Sequence, residues 1–452
     1  MKRALIISYY WPPSGGSGVQ RWVKFAKYLP EHGWQPVIYT PKNPELIARD
    51  TTLASEVPAT AEIVQRRIVE PYAILHRLRR NGSSPKTSPN QEGTTAKNQV
   101  GEVNPINSQK KSLGQKIMMF IRGNFFIPDP RCWWIRPSVK FLEQYLKEHP
   151  VDIIISTGPP HSMHLIAKKL AKKTGLPWVA DFRDPWTKMF YFKHLQLGTY
   201  AKWRHARLEQ SVLDTATTIV AVSPLVQEDF RAMTKTPVEL ITNGYDEDDF
   251  TEVTDIVNSK VSSEERFFNV THTGLFANDG NPEVIWKVLS EMCGKDEEFK
   301  DKLRIRLCGK TDKEIIDSIC EAGLNKNLVD LGYQNHKNAV AEQKKASVLI
   351  LPLRKEPEYK ATLPGKLFEY LAAGRPVLGI GQTDGAMARI LADTCSGETY
   401  EWNDEAKVRV WFDKSWADFK AGKLSIQQKD IHKYSRSSTA ASMAKLLNKL
   451  TK

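Results

Sequence analysis

The chain has 452 residues, 41% of them hydrophobic, and 65 Lys and Arg against 52 Asp and Glu give a formal charge of +13. That length exceeds one ordinary hydrophobic core and suits two domains of roughly 200 residues each. Apolar runs such as Val151–Ile155 and Val348–Pro352 have the length of buried strands, well short of the roughly 20 residues a membrane-spanning helix needs.

The segment Met1–Ile7 has a charged head but passes directly into an aromatic and glycine-rich turn, so it reads as a first strand and not a signal peptide. The five cysteines are scattered and odd in number, without zinc-ligand spacing, which fits a reduced cytosol and a cytoplasmic protein with no metal site. A basic balance attracts polyanions: nucleic acid, an anionic membrane face or a phosphorylated substrate. No basic-aromatic RNA module or recognition motif is present, so nucleic acid is not an expected partner.

Strand-length apolar runs alternate with helix-period segments almost throughout, the pattern of parallel sheets with helical crossovers, and the fold class is α/β. In the first half the predicted strands are 3–9, 35–40, 62–66, 151–156, 178–181, 218–222 and 238–241. Between the first two, Val19, Trp22, Val23 and Ala26 recur at helical spacing. Residues 81–114 are dominated by Ser, Pro, Asn, Gln, Gly and Lys and read as a mobile insertion. The stretch Lys116–Arg136 then mixes aromatic and basic residues, suited to docking on an anionic membrane surface or holding a lipid acceptor. Its Trp133 and Trp134 have the alternative of simply packing the domain.

After Asn243-Gly244 the pattern restarts. Strands are predicted at 267–273, 303–307, 328–331, 348–353 and 376–380. One helix is expected to start at an Asn281 cap with Pro282 at its first position, another at the capping box Thr311-Asp312-Lys313-Glu314, and a third to end at Gly374.

Three strand ends and one loop-to-helix entry carry residues with chemical potential. The first strand runs into Ser14-Gly15-Gly16-Ser17-Gly18 and a helix, a turn whose backbone N–H groups can approach a ligand. It lacks the third glycine and the later acidic residue of a dinucleotide fingerprint, which disfavours nicotinamide cofactors. The strand at 151–156 leads to Gly158-Pro159-Pro160-His161, placing His161 where open α/β sheets bind ligands, while His164 one turn later reads as structural. Next come Asp181-Phe182-Arg183-Asp184, where two carboxylates flank an arginine, as a site or as an internal salt bridge that shapes the loop. The most informative string is Leu363-Pro364-Gly365-Lys366-Leu367-Phe368-Glu369. There a helix N-terminus and an ammonium can meet a diphosphate together, and a carboxylate one turn on can accept from ribose hydroxyls. The alternative for Lys366 and Glu369 is an exposed intrahelical pair worth a few tenths of a kcal/mol. The acidic run Asp246-Glu247-Asp248-Asp249 reads as solvated carboxylates and not a metal site.

With the Gly15-Gly16 loop, Thr242–Asp246 ahead of Phe250, Thr273-Gly274-Leu275, and Lys366 with Glu369 before Gly374-Arg375-Pro376-Val377, the chain resembles family-four glycosyltransferases of the GT-B fold over nearly its whole length. It looks most like the bacterial branch that assembles exopolysaccharide, capsule or O-antigen units. The resemblance implies two Rossmann-like domains facing a central cleft: 1–245 on the acceptor side, 246–430 binding the nucleotide-sugar, and 431–452 a helix returning to the first domain. It further implies a retaining, metal-independent and cofactor-free transferase using a UDP- or GDP-sugar and a glycan or polyprenyl-linked acceptor at the inner membrane face. Carried over, Gly15, Gly16, Gly274, Lys366, Leu367 and Glu369 would bind donor, with Glu369 on the ribose and Lys366 on the diphosphate. His161, Arg183 and Asp184 would form the catalytic group, His161 touching the transferred sugar. Two departures stand out. Ala361 occupies the position eight before Glu369 where the family has a glutamate, leaving Glu356 or Glu358 as a substitute, and no arginine follows Gly274-Leu275. The rival reading on the same fold is a sugar-nucleotide epimerase or hydrolase.

Overall fold

Apolar runs and amphipathic segments fold into two doubly wound parallel sheets, one in each of two units. The computed structural model describes residues 1–44, 52–70, 113–189, 192, 195–251, 253 and 267–452. The insertion predicted at 81–114 lies outside the described residues apart from its last two. Unit 1 comprises Met1–Val222, Val226–Ile241 and Ala440–Lys452, and unit 2 comprises Ser223–Leu225 and Thr242–Thr439.

In unit 1 the elements run β1 (Lys2–Ile7), α1 (Ser17–Tyr28), β2 (Trp34–Pro41), β3 (Glu62–Arg66), α2 (Leu113–Phe125), α3 (Ile135–Glu148), β4 (Ile153–Gly158), α4 (Ser162–Thr174), β5 (Trp178–Phe182), α5 (Thr199–Leu213), β6 (Thr218–Ala221), α6 (Pro224–Met233) and β7 (Val238–Leu240). The seven strands are parallel in the order β3-β2-β1-β4-β5-β6-β7. The order reverses between β1 and β4, and the carboxyl ends there form the crevice where such sheets take ligands. The α1 stripe Val19, Trp22, Val23 and Ala26 is fully buried against Ala4, Ile6 and Ile38 of the sheet. Burial of large side chains like these contributes about 1.5–3 kcal/mol each.

Unit 2 contains β8 (Phe268–Thr273), α7 (Glu283–Lys295), α8 (Glu297–Lys302), β9 (Leu303–Cys308), α9 (Lys313–Glu321), β10 (Leu328–Asp330), α10 (His336–Lys345), β11 (Val348–Pro352), α11 (Gly365–Ala373), β12 (Val377–Ile380), α12 (Ala386–Asp393), β13 (Gly397–Tyr400) and α13 (Glu405–Lys420); the helix α14 (Arg436–Leu450) follows. The order is β10-β9-β8-β11-β12-β13, all parallel, with the reversal between β8 and β11. Strand alternation sends Val348 and Ile350 into a core with α7, α9 and α13, and Leu349 and Leu351 into a second core with α10, α11 and α12. The α14 residues Ala440, Met443, Ala444 and Leu447 join the core of unit 1 beside Trp22 and Trp34.

Two helix starts differ from expectation. Asn281 does not cap α7: its side-chain carbonyl accepts from Trp286 Nε1 at 2.8 Å, and Pro282 stands one residue before the helix. At α9 the box does not close, because Asp312 is the N-cap residue and its carboxylate accepts from the Asn278 amide at 3.0 Å. Side chains that reach a tertiary partner are lost to the local cap. Helix α11 does end as expected, at Gly374 with φ 69°.

Candidate functional site

At the unit 2 crevice, β8 ends in Thr273-Gly274, and Gly274 has φ +86°, a conformation that glycine adopts without strain. A Cβ there would sit 3.7 Å from Lys366 Nζ, so the β8 end and the start of α11 meet. The N-cap residue of α11, Pro364, provides no side-chain cap. The positive end of the helix therefore adds to the Lys366 ammonium in one place.

Lys366 is held from two sides. Its Nζ donates to His272 Nε2 at 2.9 Å and to the Leu275 carbonyl at 3.2 Å. His272 is buried, stacked on Phe276 with ring centroids 3.9 Å apart, and burial beside the Lys366 charge holds it neutral, well below the usual histidine range. Accepting at Nε2 puts its proton on Nδ1. Burial pushes Lys366 down to about 8, against the opposing pull of Glu369. Glu369 accepts from Gln343 Nε2 at 2.8 Å, and the same fully buried amide donates to Thr273 Oγ1 at 3.0 Å. The carboxylate is thus oriented one turn in from the ammonium. Leu367 plays no such part: its side chain is fully buried in the core and its N–H is taken by the Pro364 carbonyl at 2.9 Å. At the neighbouring β11 end, Arg354 pairs with Asp279 at 2.9 Å, and the Glu356 charge acts on Asp279, whose carboxyl is raised chiefly by burial.

At the unit 1 crevice, Gly16 precedes α1 with φ 105°, and Gly15 adjoins it on the same half-exposed turn. The Arg183 guanidinium lies against Gly18, where any side chain would collide with it, and donates to the Pro159 carbonyl. His161 is 4% exposed and stacks on Trp186 at 4.4 Å with the rings 2° from parallel. Among the described residues, neither of its ring nitrogens has a hydrogen-bond partner. Burial, with His164, His205 and Arg183 nearby, keeps it neutral. Gly15, Gly16, His161 and Arg183 therefore converge on adjoining strand ends, and Asp184 is half-buried on the same β5 loop.

The alternative of an internal salt bridge from Arg183 to Asp181 is not realised, because Asp181 pairs elsewhere. That carboxylate is fully buried and takes Arg21 through Nη2 at 2.8 Å and Nε at 3.2 Å, with Trp22 Nε1 and Thr157 Oγ1 each at 2.9 Å. Burial opposes its ionisation, but these donors hold it below the usual carboxylate range. Asp181 ties α1 to β5 and is spent on structure. His164 is structural as well, bound through Nδ1 to Ser156 Oγ at 2.8 Å and stacked on Phe182. In the acidic run, Asp246 is buried, while Glu247 meets His432 and Asp249 meets His336.

Sequence reading missed His272 and Gln343. A signal existed for the first, since Asn269, Thr271, His272 and Thr273 place unusual polarity in a strand that is buried throughout. None marked Gln343, one polar residue among many on α10.

Comparison with known proteins gives the class. Residues 114–249 match the model of Glycosyltransferase Family 4, and residues 268–408 match that of Glycosyl transferases group 1. Among curated proteins, none matches the sequence. In fold the chain is similar to sucrose-phosphate synthase from Thermosynechococcus elongatus (TM-score 0.59, 13% identity, 100% of this chain and 99% of that one). It is also similar to WaaG, a glycosyltransferase involved in lipopolysaccharide biosynthesis (TM-score 0.53, 15% identity, 98% and 99%). A putative UDP-N-acetylglucosamine 2-epimerase from Listeria monocytogenes shares the fold too (TM-score 0.52, 8% identity, 98% and 94%). The two doubly wound domains define a GT-B protein. The chain belongs to the glycosyltransferases of family 4 and group 1.

Proposed function

We propose that this glycosyltransferase moves a sugar, with retention of configuration, from a UDP- or GDP-sugar to a glycan or polyprenyl-linked acceptor in the synthesis of cell-surface polysaccharide. The observation that carries the reading is the unit 2 crevice: Lys366 at an uncapped helix N-terminus beside Gly274, with Glu369 oriented one turn further in. Cleaving the anomeric bond builds negative charge on the departing diphosphate. The ammonium and the α11 amides would stabilise that charge where it develops. Glu369 would accept from the ribose hydroxyls, and Glu356, beside Asp279 and Arg354, would take the place of the glutamate missing at Ala361. His161, neutral and stacked, suits a hydroxyl of the transferred sugar better than a phosphate. Gly15 and Gly16 would offer backbone N–H groups to donor phosphate or acceptor, with Arg183 and Asp184 framing that end. No metal or cofactor enters this scheme. The two glycosyltransferase models matched by residues 114–249 and 268–408 favour transfer over epimerisation, and a lipid-linked acceptor would put the work at the cytoplasmic face of a membrane.

The test is a thermal-shift screen across nucleotide sugars, followed by product analysis with lipid-linked acceptor. A ligand bound only by the native state raises the melting temperature by mass action. Elongated acceptor is the expected product. Isomerised or free sugar without elongation would overturn transfer in favour of epimerase or hydrolase chemistry.

A further inference from the structure

Large apolar side chains on this chain are mostly buried, yet unit 1 leaves a group of them in solvent on two adjoining helices. On α2, Phe120 is 46% exposed and Phe125 is 73% exposed. On α5, Tyr200 is 68% and Trp203 53% exposed. The helices are fixed to each other: Asn124 Oδ1 accepts from the Gly198 amide at 2.8 Å, and its Nδ2 donates to the Gln196 carbonyl at 3.3 Å. Gly123 packs so closely on Leu195 and Leu197 that a Cβ would clash. Phe125 at the end of α2 and Tyr200 at the start of α5 therefore flank one junction.

The spacing on α5 is informative. Tyr200, Trp203, Arg204 and Arg207 fall at i, i+3, i+4 and i+7, one stripe, and all four are exposed. The opposite face, Ala201, His205 and Glu209, is buried. Aromatic rings thus occupy the first turn of the stripe and guanidinium groups the next. Residues 113–128 and 195–208 contain no Asp or Glu at all, against Lys116, Arg122, Lys202, Arg204 and Arg207. A protein partner of mixed surface charge has no need of such a one-signed field, whereas a layer of anionic headgroups over hydrocarbon complements both components. Aromatic side chains settle at that boundary and each nearby Lys or Arg adds about 1 kcal/mol.

We infer that the α2–α5 face, carried by Phe120, Phe125, Tyr200, Trp203, Arg204 and Arg207, is the surface on which this enzyme docks onto an anionic lipid bilayer. The inference rests on the proposal that the enzyme works at a membrane face, and it names the surface and its second helix, which the aromatic-basic stretch 116–136 alone did not include. Trp133, 51% exposed, adds to the apolar area, whereas Trp134 is buried and stacked on Tyr39 at 5.0 Å.

The experiment measures binding of the full chain to phosphatidylglycerol–phosphatidylcholine vesicles and to phosphatidylcholine alone, for wild type, Arg204→Gln/Arg207→Gln and Phe125→Ser/Trp203→Ser. All four positions are exposed, so folding is checked only by the melting temperature. Wild type is expected to bind the anionic vesicles and to lose binding with salt. The arginine pair should weaken it roughly 25-fold, at about fivefold per charge, and the aromatic pair by roughly tenfold or more. Donor-dependent transfer to a water-soluble acceptor should be unchanged in both. Equal vesicle binding by all three proteins, absence of binding, or equal binding to neutral vesicles would overturn the assignment. So would a dimer of the wild type that both double variants abolish, which would make a second copy the occupant. If vesicle binding responds as stated while no acceptor is glycosylated with any donor, the docking surface stands and the transferase proposal falls.

Discussion

The two sheet-reversal crevices are built alike and furnished differently. In unit 2, β8 and β11 end beside a cation, an uncapped helix N-terminus and a carboxylate aligned by a buried amide. In unit 1, β1, β4 and β5 end beside a neutral histidine sandwiched against tryptophan, with an arginine packed on a glycine turn. The first arrangement suits a charged group and the second suits shape and hydroxyls. A crevice position set by topology therefore says where a ligand goes, and only the side chains say which part of it.

The largest expected effect separates structure from site within unit 1. Arg21→Ala leaves the Asp181 carboxylate buried without its partner and should cost about 3–5 kcal/mol in chemical denaturation. Lys366→Ala should leave stability nearly unchanged and lower kcat/KM about 100- to 1000-fold, the scale for removing a preorganised group that stabilises developing charge. Equal losses of stability from both would erase the contrast between a structural ion pair and a ligand-binding cation. Glu369→Gln should then weaken donor binding roughly tenfold, read by titration calorimetry with the free nucleotide diphosphate and its sugar. His161→Ala should lower kcat more than donor affinity, and a change in affinity alone would move His161 out of the transferred sugar's reach.

Smaller effects follow from protonation. Lys366, near 8, should give activity an alkaline limb close to that pH, and His272→Phe, which removes an acceptor for the ammonium, should shift the limb to lower pH. An unmoved limb would mean that His272 only packs. Stability should also fall in acid. His161 and His272 lie well below the usual value, His164 near 3 and His205 near 4. Because the folded values are depressed, the unfolded chain binds more protons below about pH 6.5, and each buried histidine removes about 1.4 kcal/mol per pH unit until its folded value is reached. Three of the four belong to unit 1, so that unit should lose structure first on acid titration followed by hydrogen exchange.

Strands were most readable where burial is two-sided. Parallel strands covered on both faces, such as β1, β4 and β5, are continuous apolar runs, and the more exposed edges β3 and β7 of unit 1 were still marked by short apolar or β-branched stretches. The strand β13, Gly397-Glu398-Thr399-Tyr400, escaped because it is a half-exposed edge with no apolar run to betray it. The α11 string was readable for a different reason: the lysine and the glutamate lie within one helix, with the loop and the terminating glycine directly at its two ends, so spacing alone places them. Asp181 was not, because its partner Arg21 lies 160 residues away and a nearer arginine stood in the sequence beside it. Likewise the stripe at Tyr200–Arg207 has little meaning until α2 is laid beside it.

By itself, then, the sequence determined the alternation that makes two parallel sheets, and the Lys366–Glu369 motif, because both depend on contacts within a few residues. Tertiary structure decided that Asp181 serves the core, that Leu367 is packed away, that His272 and Gln343 hold the two key groups, and that α5 shares a face with α2. Each of these depends on which distant side chain a buried polar or aromatic group meets, and a linear pattern does not carry that information.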